Sequence, residues 1–414
     1  MRYNGASKQS KRLRIKQIHT SGGDWVAYLT QWRGFDIATR QRKIENAFAH
    51  KKLTRPEDFP LIINTPCYFG FGNDPMPAGY WEKPEVMVRY QEEGFLRHLQ
   101  TVDDDTVPYF MPWFGTGVIA SAFGCKVKPA TGNGDDPGIC AACVQTPADI
   151  ARLKIPDPAR DGDMPRVLRV IQYAARHSDL PVGLTDMNSP LCTAAQICGY
   201  ENLFLWMYDE PEAIHDLLDM ITECFINWTR VQKQMIGEPP GQSNGLQGLW
   251  SPTGVGVWMS DDDLVSIGAE LYAAFVVPRY ERILEAFTGG TLHYCGVGTH
   301  QLDNMYGMNH LRAVNNSPMG QFTHFRKLAD KMRGKHTVII QDGAPLNPET
   351  YYDRLLSDLP DVSGMILATF VEDNLALGDD GQTLMVHRNA LEVANGVARS
   401  VRKAVAKVLA RNAG

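Results

Sequence analysis

His293, Tyr294 and Cys295 form the sharpest chemical signature in the sequence. In an extended strand, residues i and i+2 project to the same side, so an imidazole and a thiol leave the backbone together. Nitrogen and thiolate sulfur at this spacing suit a zinc ion. The pair also fits a hydrogen-bonded histidine beside a buried cysteine, and spacing alone does not separate the two readings. No cysteine follows Cys295, so a further ligand must be a different side chain. Glu372, which closes a later apolar run, is the foremost oxygen candidate, with Asp186, Asp342, His300 and His310 as substitutes. Glu372 also reads as the acidic start of a helix over 372–375, where a carboxylate meets unsatisfied amides.

Such side chains need a rigid frame. The chain has 414 residues, of which 44% are apolar and 21% charged, and this is globular composition. Short apolar runs alternate with helical patterns. The runs fall at 61–67, 107–113, 181–186, 245–250, 290–295, 311–316, 336–341 and 364–369. Eight strands alternating with helices predict an α/β fold of the (β/α)8 TIM-barrel type. Pro108, Pro112 and Gly248 make the second and fourth strands the weakest.

Helix signals lie between the runs. Asp209 and Pro211 start one that carries Leu217, Leu218, Ile221, Phe225 and Trp228 at helical spacing and ends before Gly237. Another runs from Asp263 to Ala286, with a kink or break expected at Pro278. A last one spans about 388–410. Residues 1–55 read as a basic N-terminal tail and helical extension, 56–414 as the barrel, and 125–145 as an inserted loop. A two-domain dinucleotide-binding arrangement is the structural alternative, and no GxGxxG following a strand supports it.

Forty-seven acidic and 41 basic side chains give a formal net charge of −6, so nucleic acid and anionic membranes are not expected partners. No apolar run is long enough for a membrane span. Arg2, Lys8, Lys11, Arg12, Arg14 and Lys16 crowd the N-terminus, as a solvated tail or a dock for an acidic partner. No apolar stretch follows them, so no secretory leader is read and a reducing, cytoplasmic setting is expected. The eight cysteines include one CxxC, Cys140 to Cys143, which reads as structural.

Barrel enzymes place their chemistry at the C-terminal ends of the strands. The strand ends collect Cys67, Tyr68, Trp113, Asp186, Asn188, Trp250, His293, Cys295, Asn315, Asn316, Gln341, Asp342 and Glu372. This mouth is nearly devoid of Lys and Arg and suits a neutral or weakly charged substrate. Asp186, Asn188 and Asn316 are candidates to orient it. Tyr68, Trp113, Trp250 and Trp258 could line an aromatic wall, or serve as core.

Three stretches carry a family resemblance. One is Asn188-Ser189-Pro190-Leu191-Cys192 followed by Tyr208-Asp209-Glu210-Pro211-Glu212. Another is Gly256-Val257-Trp258-Met259-Ser260-Asp261 leading to Phe275-Val276-Val277-Pro278-Arg279-Tyr280. The third is Leu292-His293-Tyr294-Cys295-Gly296, then Leu302-Asp303-Asn304-Met305. Over roughly residues 55–405 the chain resembles the uroporphyrinogen decarboxylase superfamily, more particularly its zinc-dependent, corrinoid-linked methyltransferase branch. The decarboxylases share an arginine-bearing N-terminal motif, Met-Arg-Gln-Ala-Gly-Arg, and the segment 65–79 carries no Arg or Lys.

The methyltransferase branch shares an HxC and a cysteine about 75 residues later. His293 and Cys295 match the HxC, and Glu372 stands where the later cysteine is expected. The resemblance therefore implies zinc at His293, Cys295 and Glu372, which would activate a small methyl donor or acceptor. It also implies a corrinoid that arrives on a separate protein, since no Asp-x-His-x-x-Gly occurs here. The alternatives are a metal-free decarboxylase of an unknown acid and a non-catalytic module that binds a tetrapyrrole or a corrinoid partner.

Overall fold

The computed structural model describes residues 34–65, 76–130, 136–246, 248–373, 375–378 and 380–413. Its centre is a parallel sheet. In spatial order the strands are Leu61–Asn64, Met365–Phe370, Thr337–Ile340, Leu311–Ser317, Gly290–Cys295 and Val257–Ser260. Runs such as Leu61-Ile62-Ile63 and Val338-Ile339-Ile340 are buried on both faces, as strands between a barrel interior and a helical shell must be. Register is continuous along the row that matters here: Ser260 pairs with His293, His293 with Asn315, and Asn315 with Ile339.

Two further extended segments close the circle. Phe110 bridges Val182, with Phe110 N–H donating to Pro181 O at 2.7 Å and Gly183 N–H to Phe110 O at 2.8 Å. Asn188 bridges Ser260, and Ser260 N–H donates to Met187 O at 3.2 Å. Pro108, Pro112 and Pro181 have no N–H to give, so these two staves make single bridges instead of ladders. The seam back to the first strand uses carboxylates. Asp105 N–H donates to Leu61 O at 2.6 Å. The Asp105 and Asp104 side chains accept from Leu61 N–H (3.0 Å) and Ile63 N–H (2.8 Å). Eight staves thus enclose one barrel, as the alternating pattern predicts.

The expected fourth strand, 245–250, is corrected. Ser243–Leu246 and Leu249–Ser251 form a separate antiparallel hairpin, and Val257–Ser260 takes the stave position. Glycines explain the difference. A Cβ on Gly245 would sit 2.2 Å from the Tyr109 ring. At Gly248 (φ +79°) it would strike the Asn64 carboxamide at 2.3 Å. Gly248 N–H donates to Tyr109 Oη at 2.7 Å. The hairpin packs its bare backbone against side chains of the first two staves, a contact that only glycine permits.

Two helix starts expected from the sequence are corrected: Asp209 ends the preceding helix and Glu210 caps the long one, and the stretch from Asp263 is a 3-10 turn, Asp262–Val265, before helix resumes at Ala269. Pro211–Ile236 buries Leu217, Leu218, Ile221, Phe225 and Trp228 and stops at Gly237 in the left-handed region, φ +80°. A separate helix, Tyr200–Asp209, precedes it. The irregularity expected at Pro278 is a π-helical turn, Tyr272–Val276, with Pro278 opening the helix Val277–Ala286. The last helix is Ala390–Ala413.

In the N-terminal extension, Ile37–Phe48 is a helix capped by Asp36, whose side chain accepts from Thr39 N–H at 3.0 Å. Its Ala47 carbonyl accepts from Thr337 Oγ1 at 3.4 Å, so it sits at the strand-start end of the barrel. The basic run 2–16 lies outside the described residues. The segment read as a loop at 125–145 contains a two-stranded hairpin, Lys126–Lys128 against Gly138–Ala141. The helix start expected at 372–375 is also corrected. Leu375–Leu377 is a strand that pairs with Thr383–Met385. Among the described residues no helix is long and apolar enough to cross a membrane.

Candidate metal centre

His293 and Cys295 end the strand Gly290–Cys295 and leave it on the same side. Asp262 reaches them from the turn after Val257–Ser260. His293 Nε2 lies 3.5 Å from Asp262 Oδ1 and 3.5 Å from Cys295 Sγ. One ligand atom from each of the three residues lies within 4.8 Å of the others. Tetrahedral ligands at the ~2.0–2.3 Å bond lengths of zinc stand ~3.3–3.6 Å apart, so the two measured separations already match the edges of such a site. Cys295 N–H donates to Asp262 Oδ1 at 2.7 Å and fixes that carboxylate against the strand end.

The proton positions are set by the neighbours. His293 Nδ1 meets Asn315 Oδ1 across the ladder. An amide oxygen only accepts, so Nδ1 carries the hydrogen and Nε2 turns its lone pair toward Asp262 and Cys295. Trp258 backs the imidazole, with ring centroids 6.1 Å apart and planes 19° from parallel. Burial raises the Cys295 thiol well above the usual thiol range, and the Asp262 charge adds to it. Without a cation, two acceptors and one protonated thiol face each other. A bound cation would reverse that balance, and the donor set fits a zinc-like ion. The Asp262 side chain is 57% exposed against 9% for His293, so the group opens outward on one side.

Buried groups beneath hold the loops in place. Asp261 N–H donates to His293 O at 2.8 Å. Its carboxylate accepts from Ser189 Oγ at 2.9 Å and Tyr272 Oη at 2.8 Å. Burial pushes its pKa up to about 7, against the hydrogen bonds from Tyr272 and Ser189. Asp342 accepts from Ser317 Oγ (3.0 Å), Met319 N–H (2.9 Å) and Tyr351 Oη. Burial raises it to about 6.

The other predicted residues occupy varied places. Glu372 follows the strand Met365–Phe370 and is not one of the three clustered ligands. Burial pushes its pKa up to about 7, and the Arg388 charge opposes that rise. Asn316 donates to Tyr294 O at 3.1 Å and Gly296 O at 3.2 Å, and so clasps the backbone on both sides of Cys295. Asp186 is buried within the 181–188 stave, and Asn188 bridges Ser260. Trp113 is buried and donates to Asp136 Oδ1 at 2.7 Å. Trp250 is half-buried on the hairpin, and Trp258 is buried against His293. Tyr68 and Cys67 lie outside the described residues.

Sequence reasoning missed Asp262. The four-residue strand before it does not stand out in the sequence, so the acidic run 261–263 does not read as a strand end. The signal was present as Val257-Trp258-Met259-Ser260, four residues that bury completely, followed directly by three carboxylates.

Known proteins agree with this architecture. The uroporphyrinogen decarboxylase (URO-D) family model matches residues 97–235. A curated methylated-thiol–coenzyme M methyltransferase of Methanosarcina mazei is 26% identical over 197 residues, 45% of this chain. That alignment spans about half, 46%, of the relative's length. A solved structure described as a methyltransferase from Methanosarcina mazei superposes with a TM-score of 0.59 at 14% identity. It covers 88% of this chain and 98% of that chain, a likeness of fold.

Proposed function

We propose that the chain is a member of the uroporphyrinogen decarboxylase superfamily, whose family model matches residues 97–235, and that it is a methyltransferase acting with a corrinoid carried by a separate protein. The observation that carries this reading is the convergence of Asp262, His293 and Cys295 at one strand end of the barrel. These residues would hold the ion: His293 through Nε2, Cys295 through its thiolate, Asp262 through Oδ1. Bound zinc would supply a Lewis acid that lowers the pKa of a substrate thiol and makes it nucleophilic at neutral pH. The methyl chemistry itself belongs to the corrinoid.

The protein's own residues set geometry and charge. Asn315 fixes the imidazole tautomer, and the buried Trp258 ring lies nearly parallel to the imidazole at 6.1 Å. Asn316 holds the Tyr294–Gly296 backbone so that Cys295 keeps its direction. Asp186 and Asn188 would orient the substrate, with Tyr68, Trp113 and Trp250 along its apolar part. Glu372 is the rival oxygen ligand that the sequence proposes. The geometry favours Asp262, and metal content of Asp262→Asn and Glu372→Gln separates the two.

A second reading rests on Arg388. Its Nη1 and Nη2 bind the Pro345 and Ala344 carbonyls, while its buried Nε has no partner among the described residues. A cation beyond the 337–340 strand end could grip a substrate carboxylate, as a decarboxylase requires. The test incubates zinc-loaded protein with methylcob(III)alamin and a panel of small thiols, and follows demethylation by visible absorbance. Methylated thiol, lost in Cys295→Ala, supports the methyltransferase. No transfer to or from any thiol, with carbon dioxide released from an organic acid, would move the assignment to the lyase.

A further inference from the structure

The 126–141 hairpin carries chemistry that the barrel mouth does not use. Cys125 immediately precedes one strand and Cys143 follows the other, so the two thiols face each other across the neck. The Cys125 thiol donates to Cys143 Sγ at 3.4 Å. Cys125 is buried and Cys143 half-buried. Backbone bonds from Cys143 and Val144 N–H to Ile197 O, at 3.1 and 3.0 Å, anchor one side of the neck. Cys125 N–H to Ala120 O, at 3.2 Å, anchors the other.

The CxxC motif points elsewhere. Cys140 lies within the extended strand Gly138–Ala141, is exposed, and directs its thiol to Lys126 O at 3.3 Å. A redox CxxC of the familiar kind opens a helix, and this one does not.

We propose that Cys125 and Cys143 are a reversible dithiol–disulfide pair, oxidised by small-molecule disulfides and independent of Cys140. A disulfide needs its sulfurs ~2.05 Å apart, so they must close by roughly 1.4 Å, a side-chain adjustment. The half-buried Cys143 is the sulfur an external reagent reaches. Its thiolate attacks one sulfur of the disulfide RSSR, forms a mixed disulfide and releases RS⁻. Cys125 gives up its proton, and its sulfur attacks the Cys143 sulfur and expels the second RS⁻. Protons lost by the two cysteines end on the two RSH products. The protein is oxidised by two electrons and RSSR is reduced by two. The hydrogen bond from Cys125 lowers the Cys143 pKa, which favours this order of events.

The consequence reaches the barrel mouth. The same hairpin supplies Asp136, which holds the Trp113 indole at 2.7 Å. A covalent neck would restrain the segment that carries that contact.

The test exposes native, zinc-loaded protein to glutathione disulfide at neutral pH, quenches with acid, blocks free thiols with N-ethylmaleimide, and maps peptides by mass. The expected product is a Cys125–Cys143 cross-linked peptide, with two fewer blocked thiols and unchanged circular dichroism. Dithiothreitol reverses it. Cys140→Ser forms the same cross-link, and Cys143→Ser forms none. A Cys140–Cys143 link, a glutathione adduct that persists at Cys143, or no oxidation of either cysteine overturns the proposal. So does a cross-link that appears only together with loss of circular dichroism. The wild-type map decides the matter even if a variant fails to fold.

Discussion

Replacing Asn315 by Leu should weaken zinc binding about 10–100-fold, or about 1.4–2.7 kcal/mol. Asn315 is fully buried, and its Oδ1 is the acceptor for His293 Nδ1. Leucine keeps similar bulk and removes that acceptor. The ring can then place its hydrogen on Nε2, the nitrogen that faces Asp262 and Cys295 at 3.5 Å, where a protonated nitrogen cannot ligate. The Asn315 amide nitrogen has no partner among the described residues, so the substitution orphans nothing on that side. The assay is competition for zinc with a chromophoric chelator at neutral pH, with thermal unfolding of the metal-free protein alongside. Asn315→Asp retains the acceptor and should bind zinc at least as well as wild type. An Asn315→Leu protein that folds and binds zinc with wild-type affinity would refute the reasoning.

Two further outcomes follow from the same geometry. The Cys295 thiol is held protonated by burial and by Asp262, so zinc uptake at pH 7 should release about one proton per ion. Calorimetry in buffers of different ionisation enthalpy reads that proton, and Cys295→Ala should abolish it. Asp342, raised to about 6 from 3.8, holds a proton in the folded protein that the unfolded chain gives up. The folded state therefore binds more protons between about pH 4 and 6, and stability should fall as pH rises through that window. Asp342→Asn should remove a slope worth on the order of 2–3 kcal/mol, read from urea midpoints across that range.

Much of the frame is legible because barrel strands are short apolar runs with clear ends. Gly289 and Gly290 open the strand of His293, and the structure starts and stops it at the expected residues. The stave at Val257–Ser260 was not legible as a strand. It is four residues long, and a glycine-rich apolar stretch just before it competes for the same place. That stretch became a hairpin because Gly245 and Gly248 lie against Tyr109 and Asn64, a long-range contact no local pattern encodes.

The site shows the same division. His293 and Cys295 share one strand, and their i, i+2 spacing places them together without any tertiary information. Asp262 joins them only through the pairing of Ser260 with His293. A neighbour across a parallel ladder can lie anywhere in sequence, so the register had to be known first. In the sequence Asn315 is one of two adjacent carboxamides that close the same predicted strand. Only the ladder shows that it serves His293, while Asn316 serves the backbone around Cys295.

The most direct measurement is metal content by plasma mass spectrometry, on protein purified without chelator or affinity metal. The comparison is wild type against His293→Ala, Asp262→Asn and Glu372→Gln. The account predicts about one zinc per chain in wild type and in Glu372→Gln, with loss in His293→Ala and strong depletion in Asp262→Asn. Zinc that persists in Asp262→Asn and disappears in Glu372→Gln would transfer the oxygen ligand to Glu372. A folded wild-type protein that holds no metal and takes up none from micromolar zinc would contradict the account at its centre.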